Sequence, residues 1–251
     1  LFLLLILKIN VNNNTYFFSG GYDKNLPNEK RFSNDRFTLR AQNTYKLLED
    51  KLSLSSDIIF SSSKNRNDYV ENYVPFRPYE NIEGPNGERL AVLRSGGLRE
   101  AYTDTAGNGL LLDWKNRPLQ ELYGKHAQSN GSLTDYRINL NATYKIIEPL
   151  AVSASYQFYK ASGISTTHYD ANSFYTRNLI NTFSRIMPGA NEVIRPVPLG
   201  GILNSSNNAL GANYGRLQMN FNKSFNEEHS LVAIAGYEIR EDTYSDGNYR
   251  L

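Results

Sequence analysis

Stretches of about ten residues in which apolar and polar side chains alternate recur along this 251-residue chain, and they restrict its fold more than any other feature. Successive side chains of a strand point to opposite faces, so a period of two describes a sheet with one apolar and one polar face. Over residues 36–47, Phe37, Leu39, Ala41, Tyr45 and Leu47 share one face, interrupted by Asn43. Arg36, Thr38, Arg40, Gln42, Thr44 and Lys46 share the other. Residues 52–61 set Leu52, Leu54, Ile58 and Phe60 against Ser53, Ser55, Asp57 and Ser61. Residues 135–146 set Tyr136, Ile138, Leu140, Ala142, Tyr144 and Ile146 against Arg137, Asn139, Asn141, Thr143 and Lys145. The pattern returns over 150–159, 215–225 and 231–240, where Glu238 and Arg240 oppose Ala235, Tyr237 and Ile239. A weaker strand over 15–22 contains Gly20 and Gly21, which read as a bulge or bend.

Alternation alone fits a sandwich as well as a barrel; length separates them. Soluble strands run about 5–6 residues, whereas a tilted membrane-spanning strand needs about 9–11. The connections sharpen the choice. Leu48-Glu-Asp-Lys51, Ile147-Glu-Pro149 and Asn226-Glu-Glu-His229 are short and polar. Residues 64–134 and 161–214 are far longer than ordinary loops. Short and long connections alternate, which gathers all long loops on one rim, as membrane barrels do. The expectation is an all-β chain of about seven antiparallel strands from a larger transmembrane β-barrel, with long extracellular loops and short periplasmic turns.

Composition agrees with half-wet surfaces: Tyr 18 and Phe 12 accompany only 40% hydrophobic residues. A formal net charge of +2 gives no case for nucleic acid. Cysteine is absent, which excludes disulfides and thiolate metal sites. Leu1-Phe-Leu-Leu-Leu-Ile-Leu7 is too short for a helical span of roughly 20 residues. It reads as a barrel strand or a cut start, with a truncated signal core as the alternative. Both chain ends read as cut, because the chain lacks an initial Met and stops just after a strand.

Several segments in order resemble the SusC/RagA family of TonB-dependent outer-membrane transporters. They are Thr15-Tyr-Phe-Phe-Ser-Gly-Gly-Tyr22, Phe37-Thr-Leu-Arg-Ala-Gln-Asn43, Pro75-Phe-Arg-Pro-Tyr79 and the Gly84-Pro-Asn-Gly87 turn. Further along come Leu112-Asp-Trp-Lys-Asn-Arg-Pro-Leu119, Ser173-Phe-Tyr-Thr-Arg-Asn-Leu-Ile-Asn181, Pro198-Leu-Gly-Gly201 and Ala235-Gly-Tyr-Glu238. The resemblance covers nearly the whole chain after about Thr15. It implies a plugged barrel of roughly 22 strands. It also implies import of oligosaccharides, or in some branches peptides, driven by the TonB complex and capped by a SusD-like surface lipoprotein. Residues 1–251 are then one partial barrel domain, with the plug domain, the TonB box and the remaining strands absent. The location implied is the outer membrane of a Gram-negative, Bacteroidetes-like bacterium, in contact with its lipid.

Candidate residues follow from the two faces. A charge facing lipid at the membrane midplane would cost about 2–4 kcal/mol. Arg36, Arg40, Lys46, Arg137, Lys145 and Glu238 are therefore expected on the lumen side, either as a wet wall or in contact with substrate or plug. Loop aromatics Tyr69, Tyr73, Phe76, Tyr79, Tyr102, Trp114, Tyr123, Tyr169, Phe174 and Tyr175 suit stacking on sugars or packing of loop and partner. Among them Trp114, Tyr79, Tyr102 and Tyr175 are the candidates for substrate or partner contact. Tyr144, Tyr156 and Tyr237 on the apolar face read as an interfacial belt. Asp23, Asn25, Asn28 and Glu29 form an oxygen-rich loop without the EF-hand spacing, read as a solvated turn.

His126, His168 and His229 are expected in loops or turns and show no metal-ligand spacing. No nucleophile elbow or phosphate-cradling loop is present. Neither metal, cofactor nor enzyme chemistry is expected. The rival from another class is a secreted β-sandwich or repeat adhesin that binds carbohydrate through the same aromatic loops.

Overall fold

The computed structural model describes residues 1–26, 31–68, 79–92, 99–187, 189, 192–225 and 228–251. Eight strands form one antiparallel sheet: β1 (Phe2–Val11), β2 (Asn14–Asn25), β3 (Phe32–Leu47), β4 (Leu52–Asn67), β5 (Ala127–Ile147), β6 (Leu150–Tyr169), β9 (Ile202–Ser224) and β10 (Ser230–Arg250). They follow one another around the sheet in chain order. A two-stranded ribbon, β7 (Arg185–Ile186) with β8 (Val193–Ile194), belongs to the connection between β6 and β9. No second large sheet packs face to face among the described residues, which removes the architecture of the rival sandwich.

Seven strands were legible as alternation; the eighth is the apolar start. Phe2–Val11 pairs along its whole length with β2, so the leucine run is a wall strand. Sequence alternation also underestimates the strands. β5, β6, β9 and β10 are 21, 20, 23 and 21 residues long, about twice the apolar pattern. Their extensions carry Ser, Thr, Asn and Gly on both faces, so pairing continues where the period-two signal has ended. The long connections shrink accordingly to 68–126 and 170–201.

Three other expectations change. Asp23 and Asn25 lie in β2, opposite Arg36 and Asn34, and form no separate oxygen-rich loop; Asn28 and Glu29 lie outside the described residues. His168 lies in β6, opposite Gln128 and Leu203, whereas His126 and His229 lie just before β5 and β10. The long connections also contain helices: α1 (Glu100–Thr105), α2 (Pro118–Gly124) and α3 (Phe174–Phe183).

Helix α3 follows from local chemistry. Ser173 is its N-cap, with the hydroxyl oxygen accepting the Thr176 N–H at 3.1 Å. Phe174, Arg177, Ile180 and Asn181 are buried at helical spacing. Helix α1 ends at Ala106 in the left-handed region, and Gly107 follows with φ +60°. A Cβ on Gly107 would stand 2.5 Å from Cδ1 of Ile186, so the exit of α1 lies directly against the ribbon.

Candidate functional site

Register fixes which side chains share a face. One side of the sheet carries Leu3, Leu5 and Leu7 of β1; Phe37 and Leu39 of β3; Ile58 and Phe60 of β4. It continues with Ile138 and Leu140 of β5, Val152 and Phe158 of β6, Leu217 and Met219 of β9, and Tyr237 and Ile239 of β10. Many of these residues are solvent-exposed in the isolated chain, for example Leu5 at 73% and Tyr237 at 68%. On β5 the apolar set runs from Tyr136 to Ile146. At about 3.4 Å per residue and a tilt of about 30–40°, that height is about 25–30 Å, close to the ~25 Å of an outer-membrane apolar band.

The band crosses the sheet obliquely. A hydrogen-bonded row that starts at Leu3, the top of the band on β1, passes Tyr22, Phe37, Ser62, Thr134, Ser162 and Ala209 and arrives at Ser245. The band on β10 ends at Ile239, six positions lower. The lower edge behaves alike: the row of Val11 reaches Tyr237, six positions from Leu231. Six residues amount to about 20 Å, and seven inter-strand spacings to about 34 Å. The strands therefore lean about 30° from the normal of the band, near the tilt that closes membrane barrels.

The opposite face is polar and carries all six charged candidates. Arg40 forms a two-pronged ion pair with Asp57 at 2.8 and 3.0 Å, and its guanidinium lies 5.9 Å from the Phe17 ring centroid. Nε of Arg36 donates to the Ser61 hydroxyl at 3.3 Å, and Lys46 lies 3.8 Å from Asp50. Glu238 pairs with Arg216 at 3.1 Å, and Arg137 stacks over Tyr159 at 5.2 Å. Lys145 stands opposite Ala151 in the row below Thr143 and Ser153.

The long-loop rim is a packed unit. Leu111, Trp114 and Phe174 form its buried core, with Ala106, Ile186 and Val193 against them. Trp114 is 7% exposed, and its indole N–H donates to the Asn178 side-chain oxygen at 2.9 Å. Asn181 clamps Leu112 in both directions, accepting its N–H at 3.0 Å and donating to its carbonyl at 2.8 Å. Three apolar side chains contribute only about 1.5–3 kcal/mol each, so polar links carry much of the fastening.

Arg177 is the centre of those links. It lies 3.4 Å from Glu121 and donates to the carbonyl oxygens of Asn172, Asp113 and Lys115. The Glu121 carboxylate also accepts the Phe174 N–H at 2.9 Å. Partial burial pulls the Asp113 carboxyl upward, but the Arg117 hydrogen bond, the Lys115 N–H and the charges of Arg117 and Arg177 outweigh it. The net result lies below the ordinary carboxylate value. Below this unit His126 Nδ1 meets Asp170 at 2.7 Å, tying the start of β5 to the end of β6.

The four loop candidates occupy different environments. Trp114 belongs to the core, and Tyr102 packs against it at 5.9 Å between centroids. Tyr175 stacks on Tyr169 at 4.1 Å. Tyr79 is 95% exposed. Arg31 and Arg89 both lie against the Tyr123 ring, at 5.8 and 5.1 Å. Tyr69, Tyr73 and Phe76 lie outside the described residues. The sequence reading missed Arg177, Asn181 and Glu121, although the helical spacing after a capping serine was a usable signal for the first two.

No helix is long and apolar enough to cross a membrane, and no group of three or more potential metal ligands occurs among the described residues.

No protein-family model matches the chain, and no curated protein matches it. Solved structures do. The RagAB peptide transporter superposes with a TM-score of 0.61 over 95% of this chain and 24% of that one, at 13% identity. The RagAB peptide importer in its open-open state gives 0.61 over 98% and 25%, also at 13% identity. The ferric-catecholate import receptor Fiu from E. coli K12 gives 0.51 over 97% and 30%, at 9% identity. The chain thus spans about a quarter of the length of the first of these structures. At such identities the likeness establishes the fold: an antiparallel wall segment of an outer-membrane-type β-barrel.

Proposed function

We propose that this chain forms part of the wall of a TonB-dependent outer-membrane importer of the SusC/RagA type, taking up oligosaccharides or peptides. The observation that carries the reading is the oblique apolar band, about 25–30 Å high, backed by a polar face and surmounted by long loops on one rim. In this reading the apolar face meets lipid, the polar face lines the lumen, and the 68–126 and 170–201 loops are extracellular. Trp114 and Arg177 hold those loops together, while Tyr79, Tyr102 and Tyr175 offer surfaces to substrate or to a SusD-like lipoprotein. Energy would come from TonB acting on a plug, and the host would be a Bacteroidetes-like bacterium. The superposition on RagAB supports the same assignment.

Single cysteines at Ile138, Asn139, Leu140 and Asn141 test the faces in isolated outer membranes. Water-soluble maleimide should label 139 and 141, and a lipid-partitioning reagent 138 and 140. Equal labelling at all four positions would refute the lumen and lipid assignment. Growth on oligosaccharides or peptides that is lost on deleting the gene, and equally on deleting tonB, tests transport itself.

A further inference from the structure

On the polar face a basin of about 540 Å³ crosses β5, β6, β9 and β10. Its walls are Arg137, Gln157, Tyr159, Tyr214, Arg240 and Asp242. It exists because Ala212 stands between Tyr159 and Asp242 in one hydrogen-bonded row, a small side chain flanked by two larger ones.

The arginines of this face differ in how their donors are used. Arg36 is bonded to Ser61, Arg40 to Asp57, Arg216 to Glu238, and Arg250 to Asn204. Arg240 spends its Nε on Asp242, at 2.8 Å from one carboxylate oxygen and 3.1 Å from the other. That leaves its two terminal nitrogens. The Arg137 side chain makes no hydrogen bond or ion pair among the described residues. Its guanidinium lies over the Tyr159 ring at 5.2 Å. Stacking covers a face of the guanidinium and orients its plane, while the N–H donors along its edge stay available. A planar fork of free donors matches a carboxylate with two parallel hydrogen bonds. Two arginines against one aspartate leave the lining with one net positive charge.

We propose that this basin binds a carboxylate borne by a polar ligand. Arg137 supplies the two-pronged contact, Arg240 supplies positive charge from the facing wall, and Gln157 and Tyr214 hydrogen-bond the ligand's neutral groups. This deepens the importer reading and rests on the polar face being the lumen. The carboxylate could belong to an acidic sugar or to a peptide, and the test separates these sources.

The protein purified from its outer membrane in detergent is titrated calorimetrically with trigalacturonate and with maltotriose. A parallel pair is a short peptide with a free C-terminal carboxylate and the same peptide amidated. The expected result is that one carboxylate probe binds at least tenfold more tightly than its neutral counterpart. Arg137→Gln should lower that affinity at least tenfold, Arg137→Lys should restore it only in part, and Arg240→Gln should weaken it less than Arg137→Gln. Lys8→Gln, a cation on the same face but on β1, should leave it unchanged. Equal affinity for acidic and neutral probes, no binding of either acid, or an unchanged affinity in Arg137→Gln would overturn the proposal. The cysteine labelling above reads the lumen assignment separately. Alternating labels with no carboxylate binding would sink the basin alone. Uniform labels with intact binding would sink the importer reading alone.

Discussion

Replacing Arg177 by Met should open the loop unit while leaving the barrel wall closed. The side chains of Arg177 and Glu121 are 10% and 4% exposed, so removing the cation takes the Arg177 charge away from a carboxylate in a dry site. Breaking a buried pair in this way costs about 3–5 kcal/mol. The bonds from Arg177 to the carbonyls of Asn172, Asp113 and Lys115 are lost as well. The cost falls on a local equilibrium, because helix α3 and residues 99–126 rest on one another, whereas the strands rest on their own ladders. Amide exchange in α3 should therefore accelerate by about a hundred- to a few-thousand-fold, at 1.4 kcal/mol per factor of ten. Trp114 is the chain's single tryptophan, so its emission should move to the red and report the same opening. Adding Glu121→Leu should recover the part of the loss that comes from the buried carboxylate, whereas the carbonyl bonds of Arg177 and the Phe174 N–H bond to Glu121, about 1 kcal/mol each, stay lost. The reasoning fails if α3 exchange is unchanged in Arg177→Met. It fails equally if the strands β5 and β6 accelerate as much as the helix, or if the double variant exchanges faster than the single one.

Leu140→Arg should destabilise the protein in bilayers by about 2–4 kcal/mol, and Asn141→Arg on the other face by much less; urea unfolding from liposomes separates them. Asn181→Leu removes both halves of the Leu112 clamp and should loosen the loop unit by about 1–3 kcal/mol, read by Trp114 emission. The lowered Asp113 carboxyl predicts a pH effect of definite sign. Its contribution is fully present above the ordinary carboxylate range and is lost as pH falls through its folded value, below 3.8. Emission from Trp114 should thus be steady from pH 7 to about 5 and shift red in stronger acid. Asp113→Asn should shrink that acid-side change.

The wall was legible because a sheet with one polar and one apolar face imposes a period of two. Tyr136 to Ile146 shows it without help from any partner. Where both sides are wet, as for Asn130, Ser132 and Thr134 of β5, no alternation is demanded and the strand continues unannounced. Leu1–Leu7 was readable as a barrel strand only beside other readings, for the opposite reason: Phe2, Leu4 and Ile6 make its second face apolar as well, so period two vanished into a uniform run. The rim was the least legible part. Arg177 and Glu121 are 56 residues apart, and nothing local to either announces the other. Trp114 was readable as a packing residue or a binding one; its bond to Asn178 depends on a helix contributed by a different loop.

The tall strands add a vertical order to the polar face. β5 begins at Ala127, so its wet extension above Tyr136 rises about 20–25 Å at the same tilt. High on the polar face one hydrogen-bonded row reads Asn25, Asn34, Asn65, Gly131, Ser165, Ser206 and Asn248 across seven strands. Amides and hydroxyls can bond any polar solute but give no long-range preference for charge. Six residues lower on β5, about 20 Å away, the row of Arg137 also holds Arg40 and Asp242. Charge is spread over the height of this face: Arg250 stands beside Asn204 in the same-face row above those amides, and Asp23, Arg36 and Asp246 share the same-face row below them. On the importer reading, what sets the Arg137 row apart is the free donor edge of Arg137 and not charge as such. Neutralising Arg137 should change which solutes pass without changing which ones the loop rim first admits.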